Sequence, residues 1–299
     1  MDSSRFFFFF FFITHLFVIS QEKSPFVVYD FDKDSNYKKK ITALKKIEKK
    51  SFSMKTFFSI ADLSYYYKDW ETAINYYEKI IIEYPSAENY FKHGVSAARK
   101  SLEVPRFFSV PYVLKAKKSI LSAHRLAPQN TMYLKLLIKL LNEIPKILGG
   151  NKKFARKKGN ELFLIDPIQG FMIKGYLDDN DNNLASAKSN YMLAFEIIKN
   201  NFESYERFLK ESDRNLIFEI GSAVSNHKIF KDLGITALKF YAKTYDFIDN
   251  YPLESVYYRL ALIYLSKRDL KSSSENLARA LIINPNYQNA LDFKKKHKL

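Results

Sequence analysis

Two acidic stretches are the first places to look for chemistry. Asp179-Asn180-Asp181-Asn182-Asn183 starts as a calcium loop starts, with oxygen ligands at alternate positions. Such a loop needs glycine at its sixth place and glutamate at its twelfth; here Leu184 and Asn190 stand there. Asp30, Asp32 and Asp34 alternate in the same way, with Ser35 and Ile41 at those two places. Both stretches read as polar turns between helices. The Asp178-Asp179 pair reads as a loop pair, with no neighbour to raise a carboxyl pKa for acid–base work. The five histidines, His15, His93, His124, His227 and His297, form no pair at metal-ligand spacing. His93, beside Gly94, reads as a packed or surface imidazole. Gly149-Gly150 lacks the Gly-Lys-Ser/Thr ending of a phosphate loop and reads as a left-handed turn between antiparallel helices. There is no cysteine, which excludes disulfides, thiolate metal sites and cysteine nucleophiles. The reading is therefore of a protein without catalytic, metal or cofactor site, and not an enzyme.

The elements that carry these residues are helical. The chain has 299 residues, and 47% are hydrophobic, enough for a sizeable core. Only 8 glycines and 9 prolines are present, too few for an all-β protein with many tight turns. The organising signal is a period near 34 residues. From Met54, apolar or small residues follow at Phe57, Ile60 and Ala61. Lys68-Asp69-Trp70 makes a polar turn, Ala73, Tyr77 and Ile80 continue, and Pro85 closes the unit. From Glu254 the same offsets hold Tyr257, Leu260, Ala261 and Tyr264. Arg268-Asp269-Leu270 makes the turn, then Leu277, Ala280 and Pro285, with Ser273 where alanine is usual.

This pattern resembles the tetratricopeptide repeat (TPR). Small residues let two antiparallel helices approach, bulky ones fill the gaps between turns, and proline ends the unit because it cannot continue a helix. Four looser units lie between. The second has Tyr90 and Gly94, then Ala116, Ile120, Ala123 and Pro128, with about ten extra residues at 104–112 between its helices. The third starts at Met132 and carries Ala155, Leu162 and Pro167. The fourth runs from Ile168 through Phe171, Gly175, Ala187, Tyr191 and Ala194. The fifth has Ile217, Ile220, Gly221, Ala237 and Tyr241, ending late at Pro252. The resemblance implies an all-α, right-handed superhelical solenoid of about six antiparallel helix pairs over residues 54–287. Residues 21–53 read as an extension ending in a capping helix, with Ile41, Leu44 and Ile47 at helical spacing. Residues 288–299 read as a basic C-terminal helix with Leu291 as its main apolar contact. A narrower likeness rests on the 104–112 insertion, the basic run after it, and Pro145-Lys146-Ile147-Leu148-Gly149-Gly150. Together they resemble exported TPR proteins of the Bacteroidetes type. The TPR subunit of some solute uptake systems has a similar turn.

Residues 6–19 open with seven phenylalanines after Arg5 and are broken only by Thr14 and His15; Ser20 and Gln21 follow. This stretch is shorter than the roughly 20 apolar residues that span a bilayer. It reads as a secretory signal over residues 1–20, with an uncleaved anchor as the second reading. No later segment is apolar enough to span a membrane. Export would place the chain in the periplasm or envelope of a Gram-negative bacterium. Lys and Arg number 48 against 32 Asp and Glu, a net charge of +16. The cations are mostly lysine and spread along the chain, unlike the one-faced arginine-rich patch of a nucleic-acid binder. They read as a solvated surface or as a contact with anionic envelope components; nucleic acid is not expected.

In TPR arrays the first helix of each pair lines the concave side. The resemblance places Lys55, Phe58, Asp62, Tyr65 and Tyr66 of the first unit there. It adds Met172, Tyr176 and Asp179 of the fourth, and Tyr258 and Leu262 of the last. Phe58 and Asp62 stand where the peptide-tail clamp of some TPR proteins has lysine and asparagine. The expected function is a protein-interaction scaffold that binds a protein or peptide in its groove. The alternative is a small-ligand-binding accessory of an uptake system, which a closed apolar cavity would favour.

Overall fold

The computed structural model describes residues 34–297, which hold fifteen α-helices and no strand. The stretch read as a signal, Asp30, Asp32 and Lys298 lie outside the described residues. In chain order the helices are α1 (Ser35–Lys50), α2 (Met54–Tyr66), α3 (Trp70–Glu83), α4 (Ala87–Glu103) and α5 (Arg106–Leu126). Then come α6 (Thr131–Glu143), α7 (Lys152–Ile165), α8 (Pro167–Asn180), α9 (Leu184–Asn201) and α10 (Tyr205–Glu211). The last are α11 (Arg214–His227), α12 (Lys231–Lys243), α13 (Leu253–Ser266), α14 (Leu270–Ile283) and α15 (Gln288–His297).

Six antiparallel pairs form the solenoid: α2–α3, α4–α5, α6–α7, α8–α9, α11–α12 and α13–α14. Local sequence explains the breaks between them. Asp69, Ser86, Asn130, Asn151, Asp166, Asp213 and Asp269 each accept a backbone N–H two or three residues on, capping the helix that follows. Each such cap is worth about 1 kcal/mol. The turns inside units one, four and six need a residue in the left-handed region, supplied by Lys68 (φ 61°), Asn182 (φ 57°) and Arg268 (φ 64°). The repeat alanines at Ala61, Ala73, Ala116, Ala187, Ala237 and Ala261 are fully buried. Ser273 fits the alanine place by donating its hydroxyl to the Ala261 carbonyl at 2.9 Å.

Several local expectations need correction. The extra residues of unit two are not a loop. Pro105 precedes α5, Pro111 lies inside it, and the insertion lengthens the α4–α5 hairpin. Asp178 and Asp179 lie in the last turn of α8, not on a loop. In α1 the buried anchors are Tyr37 and Ile41, while Ile47 is exposed; in α15 they are Ala290 and Phe293, with Leu291 outward. Helix α10 and the connection 244–252 have no counterpart in the 34-residue pattern. Of the two turn glycines only Gly149 is left-handed (φ 84°). Gly150 is needed for close approach, since a Cβ there would lie 1.8 Å from the Ile144 carbonyl oxygen.

Candidate functional site

The first helices face one another across the concave side, and long-range contacts bridge it. Lys135 and Lys139 of α6 reach Glu219 of α11 at 3.3 and 2.6 Å, passing over the unit between them. Lys135 also lies 3.6 Å from Asp213. Burial alone would raise the Glu219 carboxyl. The two lysines outweigh burial and hold it at about 2. Burial would likewise depress Lys139, and Glu219 drives it above its ordinary value.

A second bridge closes the array further along. Arg214 clasps Asp249 in two contacts of 2.8 and 2.5 Å and donates to the Tyr241 carbonyl at 3.0 Å. This fixes the connection 244–252 so that Phe247 meets the rings of Tyr66 and Tyr67 at 5.8 and 5.9 Å. Lys68 sits 4.7 Å from the Phe247 ring centre and donates to the Asp249 carbonyl at 3.2 Å. Residues 181 positions apart are thus in contact. These contacts partly fill the concave side with the protein's own side chains.

Beside these bridges lies a cavity of 350 Å³ among α6, α8, α11 and α13. Its wall includes Lys139, Tyr176, Asp179, Phe218, Glu219, Asn226, Tyr251 and Arg259. Phe218 and Tyr251 stack at 3.9 Å, and the Arg259 guanidinium lies 5.1 Å from the Phe218 ring centre. Burial lowers the Arg259 pKa, and no carboxylate offsets it. Its Nε is buried without a hydrogen-bond partner. A buried donor left without a partner costs about 1–3 kcal/mol. Arg259 thus brings a donor without a partner to a wall that also holds the paired charges of Lys139, Glu219 and Asp179.

Along the same wall, Asp179 accepts from Tyr191 at 3.0 Å and lies 3.0 Å from His227 Nε2. Gly175 makes room for this, since a Cβ there would lie 2.6 Å from the Tyr191 ring. Tyr176 hydrogen-bonds to Glu143; burial, then that carboxylate, raises its pKa. The calcium-like stretch does not converge. Asp178 takes Arg156, Ser186 and Asn190, while Asp181 takes Lys152 and Arg156. His93 is buried, 2.7 Å from the Ser119 hydroxyl.

The expected groove residues divide. Met172, Tyr176 and Asp179 meet in the cavity. Tyr66 belongs to the second bridge. Asp62 is exposed and pairs with Lys92 at 2.9 Å, while Tyr65 packs on Trp70 and Tyr77. Phe58 packs on Tyr84, and Lys55 is exposed. Tyr258 is turned into the C-terminal cap against Tyr287 and Phe293, and Leu262 packs in the same cluster. Sequence reasoning passed over Lys139, Glu219, Tyr251 and Arg259. A signal for Arg259 was present, as the sole charged residue of α13 after Glu254.

No family model matches the sequence, and no curated protein matches it. Among solved structures, the chain is similar to one in the APC/C hetero-tetramer Cut9-Hcn1. The TM-score is 0.53 at 17% identity, over 95% of this chain and 50% of that one. This chain thus spans half the length of that neighbour. It is also similar to the C-terminal part of a TPR repeat-containing protein from Cytophaga hutchinsonii. There the TM-score is 0.42 at 15% identity, over 86% of this chain and 94% of that one. With its six consecutive helix pairs, the chain has an all-α, TPR-like solenoid fold.

Proposed function

We propose that this chain is a non-enzymatic interaction scaffold that holds an acidic segment of a protein partner on its concave side. The observation that carries the reading is Arg259: a half-buried side chain whose Nε is buried without a hydrogen-bond partner, on the wall of the cavity. The aromatic wall of Phe218, Tyr251 and Tyr176 suits a side chain next to the acidic group. The apolar stretch at residues 6–19 and the lysine-rich composition support export to the envelope of a Gram-negative bacterium.

The test is affinity capture with the tagged full chain from separated cell fractions, washed at about 0.5 M salt to screen exposed charge contacts. The expected result is one partner in near-equal amount from the envelope fraction, lost with Asn226→Trp. Asn226 is exposed on the cavity wall, so the indole fills the cavity without disturbing the core. Capture unchanged by that substitution would remove the cavity from the account. Recovery of the chain only from the cytoplasm would remove the export.

A further inference from the structure

A second cavity, of 370 Å³, lies between α12 and α14, the second helices of units five and six, over α13. It shares no lining residue with the cavity beside Arg259. Three helix faces meet in it. Lys239 and Lys243 stand one turn apart on α12, Tyr257 and Tyr264 two turns apart on α13, and Glu275 and Arg279 one turn apart on α14. The Arg279 guanidinium lies 5.7 Å from the Tyr257 ring centre, and the Lys239 ammonium 5.7 Å from that of Tyr264. Lys239, Lys243, Glu275 and Arg279 form no ion pair among the described residues, and the two tyrosine hydroxyls have no hydrogen-bond partner there. Three cations against one carboxylate leave the cavity with an excess of two positive charges.

The basic character of the chain as a whole does not account for this. Lys239 and Lys243 lie two and six places after the repeat alanine Ala237, and Arg279 lies six places after Ser273. Between units one and two the same places hold Asn75, Lys79 and Ser122; between two and three, Lys118, Ser122 and Glu161. Between three and four they hold Lys157, Glu161 and Leu193; between four and five, Ser189, Leu193 and Lys243. Every other boundary thus brings a single cation to these places, and the last brings three.

From this arrangement we infer that the α12–α14 cavity binds the phosphoryl group of a soluble phosphate monoester, a function separate from the concave-side reading above. A phosphate monoester carries about −1.5 to −2 charges at neutral pH, which matches the excess in the cavity. The Arg279 fork suits two of its oxygens at once, and the two lysines meet the group as point charges. The tyrosine rings offer an apolar wall to the body of the ester, and their hydroxyls are free to donate. The volume falls within the range of small-ligand sites, roughly 300–1,000 Å³.

The experiment is calorimetric titration of the full chain with phenyl phosphate at about 0.15 M salt, where exposed charges are screened beyond about 8 Å. Binding with a Kd below about 1 mM is expected, weakened at least about tenfold in the double variant Lys239→Gln, Arg279→Gln. Both side chains are exposed, so that variant keeps its helical spectrum and melting temperature. The control variant Arg125→Gln, Lys157→Gln removes the same charge from exposed positions outside the cavity and is expected to bind as the wild type does. Equal weakening in both variants would assign the binding to net charge and overturn the inference. So would the absence of any titration, or binding confined to vesicles containing phosphatidic acid, which present the same group on a lipid surface.

Discussion

The concave interior and the α4–α5 tip dispose of charge in opposite ways. Inside, buried Lys135 and half-buried Lys139 and Glu219 are paired across the groove, and Arg214 is clasped to Asp249. At the tip, Arg106 has no ion-pair partner among the described residues, and Phe107 and Phe108 face solvent. Interior charges hold one turn of the array against another and so contribute to stability. Tip residues contribute nothing to the fold. Arg259 breaks the interior rule: it is half-buried, and its buried Nε has no hydrogen-bond partner.

The largest effect that would sharpen this contrast is expected from Glu219→Gln. It leaves half-buried Lys139 without its carboxylate and buried Lys135 with only the longer contact to Asp213, and urea unfolding should register a loss of about 3 kcal/mol. A loss below about 1 kcal/mol would mean the interior pairs behave like exposed ones.

Acid should act on the same site. Glu219 is held at about 2, below its ordinary 4.5, so its contribution is complete above pH 4.5 and disappears as pH falls toward 2. Stability should drop by about 3 kcal/mol across that window, and the Glu219→Gln variant should show a flatter profile.

A smaller effect is expected from Lys68→Ala, which removes the bond to Asp249 and the contact with the Phe247 ring. A cost of about 1 kcal/mol is expected, together with faster amide exchange across residues 244–252. At the tip, Phe107→Ala and Phe108→Ala should each change unfolding free energy by less than about 0.5 kcal/mol. A larger loss would make the rings part of the core and break the contrast.

The helix pairs were legible because each unit states its own packing locally. Ala61, Ala73 and Pro85 carry the pattern within one unit, and Ala261, Ser273 and Pro285 repeat it. The cavity was legible only in part, since Met172, Tyr176 and Asp179 follow from position within a unit. Lys139 and Glu219 lie 80 residues apart, and their meeting depends on how tightly successive units wind. A single repeat does not encode that winding. The tip was misread because Pro105 and Pro111 signal a break in sequence. Yet a proline just before a helix costs nothing, and Pro111, the sixth residue of α5, stays within the helix although it has no N–H to give the Phe107 carbonyl. Leu291 was preferred over Phe293 in α15 because hydropathy does not reveal which side of a terminal helix meets the last unit.

The most direct test of the account is Arg259→Met, read for both stability and partner capture. A buried Nε without a partner should cost the free protein energy that binding recovers. The variant is therefore expected to unfold at higher urea concentration than the wild type, by about 1 kcal/mol, and to capture no partner. A destabilised variant that still captures its partner at the wild-type level would show Arg259 to be structural and contradict the account.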